Sequence, residues 1–147
     1  MHEPVCKALA QHGAEILLCP NGSPYWRNKQ RLRLELVRQR VQETGLPMLY
    51  SNQIGGQDEL VFDGASFGIN TDGSLAFQGK SFVPDMVISD WRKGDAGWHC
   101  VEGHVTELVP VNEAPWHAAM LGLREASILL SWRRWPSMRW APKTFTA

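Results

Sequence analysis

Residues 14–29 read A-E-I-L-L-C-P-N-G-S-P-Y-W-R-N-K, an apolar run that passes through a polar turn into a basic segment. Gly13 precedes the run, and a group rich in proline, asparagine and glycine follows it, which predicts a fully buried strand over residues 16–19. Ligands of α/β proteins lie at the carboxyl ends of such strands. The turn over residues 20–29, called the elbow below, is therefore the expected centre of chemistry.

Helices are predicted on both sides of this strand and elbow. Residues 2–12 have apolar side chains at helical spacing and end at Gly13. Residues 28–44 predict a longer helix with Asn28 as its N-cap and a stop at Gly45. The apolar stripe of that helix is expected at Leu32, Leu36, Val37 and Val41, whereas Arg31, Arg33, Arg38 and Arg40 are expected to point mostly to water.

A second apolar strand is predicted over residues 47–52, so strand, helix and strand form a right-handed parallel β-α-β unit. Residues 53–64 predict a glycine-bearing loop, and Asp72-Gly73 between alternating runs predicts a hairpin. Because hairpins follow the β-α-β unit, the expected fold class is α/β, a layered sandwich with a mixed sheet. The remaining predicted elements are strands over residues 83–91 and 98–101 and a helix over residues 111–124 that begins near Asn112.

Composition excludes several classes of protein. The 147 residues carry 15 basic and 15 acidic side chains, so the average charge predicts neither a nucleic-acid nor a membrane partner. No apolar run approaches the roughly 18 residues of a membrane span and the N-terminus does not resemble a secretory signal, so a cytoplasmic location is expected. One stretch differs: after Glu125 no acidic residue follows, and arginines alternate with tryptophans, which leaves nucleic-acid binding by this tail as a weaker alternative.

Ser23 and Lys29 are the candidate binding residues of the elbow. A hydroxyl and an ammonium suit a carboxylate or zwitterionic ligand, although a tight connection alone would also explain the composition of the turn. Cys19 lies at the strand end, but no histidine or acidic residue is near it in sequence to activate it as a nucleophile. His99, Cys100 and His104 match no standard zinc spacing, so no metal site is predicted.

Three stretches carry a family resemblance. They are G-A-E-I-L-L-C-P-N-G-S-P-Y-W, G-L-P-M-L-Y-S-N-Q-I-G-G-Q-D-E-L-V-F-D-G-A-S-F and H-A-A-M-L-G-L-R. Together they resemble the glutamine-dependent NAD+ synthetases, over nearly the whole of residues 3–124. The first two resemble the second half of the glutaminase domain, a nitrilase-type carbon–nitrogen hydrolase, and the third resembles the helix that leads into the synthetase domain.

The resemblance implies part of a nitrilase-like α-β-β-α sandwich, with the glutaminase half-domain over residues 1–110, a linker helix over residues 111–125 and an irregular tail over residues 126–147. In the family, glutamine supplies ammonia for the ATP-dependent amidation of deamido-NAD+. The catalytic Glu, Lys and Cys would precede residue 1, so no catalytic residue is expected in this chain and it is expected to be inactive alone. Ser23 and Lys29 match the family's glutamine-binding serine and the basic residue six positions later, which implies that they clasp the α-amino and α-carboxylate ends of glutamine.

The resemblance also implies that cofactors belong to the full-length enzyme, where ATP and Mg2+ act, and that none binds this chain. The alternative function is a non-catalytic assembly module that pairs with a separately encoded half-domain or with a second copy. Reverse translation of residues 125–140, read two bases later, can give S-I-D-S-A-L-V-A-P-L-A-V-D-A-L-G, which resembles the family's pyrophosphate loop. A frameshift near Glu125 is therefore expected, with the tail out of frame.

Overall fold

The computed structural model describes residues 5–95 and 97–132. The described chain alternates short helices and strands, as follows: α1 (Val5–Gln11), β1 (Leu17–Asn21), α2 (Lys29–Thr44), β2 (Met48–Asn52), β3 (Ile54–Gln57), β4 (Leu60–Asp63), β5 (Phe67–Ile69), β6 (Leu75–Gln78), β7 (Ser89–Gly94), β8 (Gly97–Gly103) and α3 (Ala114–Trp132). None of the helices in these two ranges is both long enough and apolar enough to cross a membrane.

The main sheet has the strand order β1-β2-β5-β6. Strands β1 and β2 are parallel, which confirms the β1-α2-β2 unit, and β5 and β6 add to β2 in antiparallel orientation. The turn between β5 and β6 contains Asp72 and Gly73, and Gly73 has φ 84°, so the predicted hairpin is also confirmed. The fold class is α/β with a mixed sheet, as the pattern of a β-α-β unit followed by hairpins predicts.

Helix α2 covers one face of this sheet. Its residues Val37 and Val41 pack on apolar side chains of the sheet, of which Phe67 and Ile69 are fully buried. Tyr50 stacks on Phe67 with the ring centroids 5.1 Å apart. The predicted apolar stripe is wrong in part: Leu32 and Leu36 are exposed. The buried stripe has spacing i, i+4, i+8 and begins at Arg33, because this arginine finds a charged partner inside.

The other face of the sheet is covered only in part by the described residues. Leu17 is 4% exposed, whereas Leu18 is 72% exposed, since successive strand residues point to opposite faces. The prediction of a fully buried strand was therefore wrong for β1. Apolar side chains on this side, together with the segment after β6, line a trough of about 430 Å³. We call this surface the open face; it is formed by Leu18, Leu49, Phe77, Val83 and Val87.

Two further segments differ from expectation. Residues 53–64 are not a loop, because β3 and β4 pair as an antiparallel hairpin on which α3 packs. The strand predicted over residues 83–91 begins only at Ser89. Pro84 offers no backbone N–H to a ladder, and Met86 and Ile88 are exposed, so the apolar character of this segment does not reflect strand pairing. Strands β7 and β8 form a separate antiparallel hairpin.

The helix ends follow the sequence only in part. The Gly45 N–H bonds the Val41 carbonyl at 2.8 Å with φ 68°, the expected C-terminal cap of α2. Asn28 is not the expected side-chain cap: it has φ 67° and makes no capping hydrogen bond. Helix α3 begins at Ala114 and continues to Trp132, beyond the predicted end at residue 124. The remaining residues of the predicted out-of-frame tail, 133–147, lie outside the described ranges.

Candidate functional site

The elbow leaves β1 at the edge where two parallel strands end. Asn21 and Asn52 are register partners, so the carboxyl ends of β1 and β2 lie side by side. The Ser23 N–H donates to Asn52 Oδ1 at 2.8 Å, and Asn52 Nδ2 donates to the Ser23 carbonyl at 3.1 Å. One amide side chain thus satisfies both backbone groups of Ser23 and fixes this residue against β2.

Arg33 holds the same serine from the side of α2. Its Nε donates to Ser23 Oγ at 3.2 Å and its Nη2 donates to the Ser23 carbonyl at 2.7 Å. The expectation that Arg33 points to water is wrong, because Asp63 at the end of β4 pairs with its guanidinium. A buried charge is stable only when paired and hydrogen-bonded, and this one has both kinds of partner.

Asn52 joins this ion pair as well. Its Nδ2 lies 3.3 Å from Asp63 Oδ1, so the carboxylate accepts from Asn52 as well as from the guanidinium. Gln30 and Gln78 extend the network: Arg33 Nη1 donates to Gln30 Oε1 at 3.2 Å, and both glutamines donate to the Ala65 carbonyl. The elbow therefore rests on a buried polar network rather than on apolar packing.

Lys29 lies at the first position of α2 and reaches back to the elbow. Its Nζ donates to the Pro24 carbonyl at 2.8 Å and lies 4.3 Å from the centre of the Trp26 ring. Burial lowers the pKa of Lys29, the positive charge of Arg33 lowers it further, and the Asp63 carboxylate acts in the opposite direction. Arg33 Nη2 also approaches the Pro24 carbonyl, at 3.4 Å, so this carbonyl connects the environments of Ser23 and Lys29.

Two clefts adjoin the elbow. The first, of about 350 Å³, lies at the carboxyl ends of β1 and β2 and is lined by Asn21, Gly22, Asn52 and neighbours. The second, of about 530 Å³, lies beside the first turn of α2 and is lined by Lys29 among others. Of the two predicted binding residues, Lys29 lines the second cleft, whereas Ser23 is among the lining residues of neither.

The structure adds three residues that the sequence did not single out, namely Arg33, Asn52 and Asp63. Asn52 and Asp63 flank the β3–β4 hairpin within the motif S-N-Q-I-G-G-Q-D-E-L-V-F-D. Their signal was present as polar residues directly after apolar strand positions, which is where site residues of α/β proteins tend to lie. Arg33 gave no such signal, since its neighbours on the helix are also arginines.

The cysteines remain outside this network. Burial raises the pKa of the Cys19 thiol, and the amide of Asn21 approaches its sulfur at 3.9 Å. A raised pKa disfavours the thiolate that a nucleophile needs. Burial also raises the pKa of Cys100. Across residues 5–95 and 97–132, no group of three or more His, Cys, Asp or Glu side chains is arranged to hold a metal ion.

Comparisons with known proteins identify relatives of the chain. The chain is 46% identical over 124 residues to the glutamine-dependent NAD(+) synthetase of Rhodobacter capsulatus, which covers 84% of this chain and 22% of that enzyme. The synthetase of Xanthomonas campestris pv. campestris is 36% identical over 123 residues, with the same two shares. No protein-family model matches the chain.

Solved structures of other proteins also superimpose on the chain. Glutamine-dependent NAD+ synthetase from Acinetobacter baumannii superimposes with a TM-score of 0.73 at 29% identity, over 83% of this chain and 23% of that one. A carbon-nitrogen hydrolase from Helicobacter pylori shares the fold with a TM-score of 0.52 at 17% identity, over 84% of this chain and 41% of that one.

The mixed sheet with helices on one face therefore places the chain in the carbon–nitrogen hydrolase fold of the nitrilase type. Within that fold, it belongs with the glutamine-dependent NAD+ synthetases. It spans about a fifth of the length of the relatives that it matches.

Proposed function

We propose that this chain carries the amino-acid-orienting part of the glutamine site of an NAD+ synthetase, with Ser23 and Lys29 as the residues that bind glutamine. The observation that carries the proposal is the elbow itself, where Asn52 and Arg33 hold Ser23 and the Lys29 ammonium donates to the Pro24 carbonyl of the same turn. Both anchored groups donate hydrogen bonds. A free amino acid presents a carboxylate that suits such donors.

In this proposal the whole enzyme hydrolyses the side-chain amide of glutamine and passes the ammonia to an ATP-dependent amidation of deamido-NAD+. The proposal expects no hydrolysis by the chain alone, and it is supported by the raised pKa of Cys19, since burial disfavours the thiolate that a nucleophile needs. The proposal assigns the amidation step and its ATP to the remainder of a longer enzyme, since this chain spans about a fifth of the length of its relatives.

The test of binding is a titration of the isotope-labelled chain with L-glutamine, followed by shifts of backbone amide signals. We expect the shifts to cluster at residues 22–30 and to be lost in Ser23→Ala and Lys29→Met. Arg31→Met is the matched control, because Arg31 lies on the exposed side of α2 and pairs with Glu35. Shifts that cluster elsewhere, or that survive both substitutions, would remove the elbow from the site.

The test of activity is an ammonia assay with L-glutamine as substrate. We expect no ammonia release above background from the wild-type chain. Turnover that is lost in Cys19→Ala would make that cysteine the nucleophile and contradict the proposal. Turnover that survives both Cys19→Ala and Cys6→Ala would also contradict it.

A second candidate function is assembly, and the open face favours it. Leu18 and Val83 are exposed apolar side chains at the trough, and such a surface is typically covered by another layer. An apolar sheet layer is the partner with matching chemistry, either from a companion chain that carries the other half-domain or from a second copy of this chain. In solution, light scattering at increasing concentration distinguishes these partners: self-association points to the second copy, and a monomer that binds only a co-expressed half-domain points to the companion.

Within the described residues β1 pairs only with β2, and its other edge supports the companion as partner. Helix α1 packs against α2, and its Cys6 contacts the same core cluster, so both helices lie on one face of the sheet. Consecutive β-α-β crossovers are right-handed. A parallel strand that precedes α1 would therefore lie beside β1 on the side opposite β2. A companion half-domain would pair with this edge as well as cover the open face.

A further inference from the structure

Resting on the proposed glutamine site, we propose that Arg33 is a positioning residue that fixes the Ser23 hydroxyl as a donor, so that Ser23 recognises the α-carboxylate of the amino acid and not its α-ammonium. The observation is the double contact of one guanidinium with Ser23, through Nε to the hydroxyl oxygen and through Nη2 to the carbonyl. This contact leaves the hydroxyl its proton and one lone pair, and the charge of the surroundings then favours use of the proton toward a carboxylate.

A serine hydroxyl has one proton and two acceptor lone pairs. The Nε–H of Arg33 occupies a lone pair from the side of α2 at 3.2 Å. The hydroxyl proton cannot point toward that N–H, and within the described part of the chain no acceptor takes it. It is therefore directed toward an acceptor outside this network, and a carboxylate oxygen is the strongest acceptor that an amino acid presents.

The positive charges near Ser23 also favour a carboxylate over an ammonium. The Arg33 guanidinium is paired with Asp63, but Lys29 adds a second positive charge at the same turn. The charge of Arg33 already contributes to the lowered pKa of Lys29, so the two fields overlap. An α-ammonium placed beside Ser23 would meet two like charges, whereas a carboxylate would meet two hydrogen-bond donors.

The role requires arginine rather than a generic positive charge. Arg33 uses Nη1 and Nη2 for the carboxylate of Asp63 while Nε and Nη2 contact Ser23, which needs the planar fork of a guanidinium. A lysine ammonium is a point charge on a flexible stem and can keep the pair with Asp63 without reaching both Ser23 atoms. Arg33→Lys thus separates the positioning role from the charge.

The experiment measures dissociation constants of three ligands by amide-shift titration of the whole chain. The ligands are L-glutamine, 4-carbamoylbutanoate, which lacks the amine, and L-glutaminamide, which lacks the carboxylate. We expect L-glutaminamide to bind about tenfold more weakly than the other two, a difference of about 1.4 kcal/mol. We expect Ser23→Ala and Arg33→Lys each to weaken the two carboxylate ligands by about tenfold, with no further loss in the double variant, and Arg31→Lys to change nothing.

The contact of Arg33 with Ser23 can also be measured in the free protein, without any ligand. The side-chain Nε signal of Arg33 reports the contact directly, and exchange protection of the Ser23 amide, which donates to Asn52 Oδ1, reports whether the elbow keeps its position. Ser23→Ala removes no buried charge, so it provides a folded protein in which the Arg33 Nε signal should shift even if Arg33→Lys fails to fold. We expect the Ser23 amide to lose protection in a folded Arg33→Lys variant and to keep it in Arg31→Lys.

The outcomes separate the two proposals. If glutamine binding does not depend on Ser23 but the Ser23 amide depends on Arg33, the proposed function fails while the positioning contact stands. If Ser23→Ala leaves the Arg33 Nε signal unmoved, or a folded Arg33→Lys variant binds 4-carbamoylbutanoate as the wild type does, the positioning role is overturned. If L-glutaminamide binds as tightly as L-glutamine, the assignment of the carboxylate end is overturned.

Discussion

Arg33 and Asp63 meet in a buried, two-pronged ion pair, in which Nη2–Oδ1 and Nη1–Oδ2 are each 2.9 Å apart and the side chains are 4% and 6% exposed. The pair joins α2 to the end of β4, and through Arg33 it joins both to Ser23. One interaction therefore stabilises the fold and shapes the elbow. Substitutions of Arg33 or Asp63 should therefore change both the stability of the fold and the conformation of the elbow.

Removal of one partner of this pair should be costly. We expect Asp63→Ala to lower the free energy of unfolding by about 3–5 kcal/mol, because the guanidinium stays buried without its counter-charge. Urea denaturation followed by circular dichroism measures this. The double variant Arg33→Met/Asp63→Leu is the control and should lose much less, since it leaves no isolated charge. A single substitution that costs under about 1 kcal/mol would contradict the buried pair.

The Asp72 carboxylate in the β5–β6 turn should make the free energy of unfolding depend on pH. Hydrogen bonds from the side chain and backbone of Ser74 hold the pKa of Asp72 below its usual value. A lowered folded-state pKa adds stability above the unfolded pKa of about 3.9 and loses it as the pH falls through the lowered value. We expect Ser74→Ala to be slightly less stable than wild type near neutral pH and equal to it below that window. Asp72→Asn should remove this pH-dependent part of the difference, and a difference unchanged by acid would contradict the assignment.

Cys19 should react slowly with alkylating reagents. Burial raises its pKa, so the thiolate fraction at pH 8 is smaller than that of an unperturbed cysteine. Mass spectrometry of peptides after timed iodoacetamide treatment measures the rate, with the urea-unfolded chain as the reference. We expect slower labelling of Cys19 in the folded chain. Faster labelling in the folded state would indicate an activated thiolate and reopen its role as a nucleophile.

A charge on the open face should reduce association. Leu18 projects from β1 on the side away from the helices. We expect Leu18→Lys to shift the light-scattering mass of concentrated samples toward the monomer of 16.6 kDa. Leu32→Lys on α2 is the matched control, because Leu32 is an exposed leucine outside the open face. An equal effect of both substitutions would indicate nonspecific association rather than a defined surface.

The nucleotide sequence tests the proposed out-of-frame tail. Tryptophan and methionine have single codons, so Trp132, Trp135 and Met138 leave little freedom in the shifted reading. We expect the codons of residues 125–140, read two bases later, to encode S-I-D-S-A-L-V followed by further synthetase-like sequence. Codons that give any other reading at I-D-S-A-L-V would show that the tail is in frame.

Several features followed from local sequence. The parallel β1-α2-β2 unit, the cap at Gly45 and the hairpin at Asp72-Gly73 depend on hydrophobic periodicity and on glycine conformations that neighbouring residues specify. Features that depend on distant partners were mispredicted. Residues 83–88 are as apolar as a strand but have no ladder partner, and residues 53–64 form a hairpin where glycines indicated a loop.

The sequence by itself determined the family, the α/β class and the place of the elbow at a strand end, because these are written in contiguous motifs. Only the tertiary structure decided how the elbow is held. Whether Arg33 faces water or the interior depends on the position of Asp63, thirty residues away in sequence, and a buried charge is tolerated only beside its partner. The same holds for Leu17 and Leu18, whose opposite burial follows from which face of the sheet α2 covers.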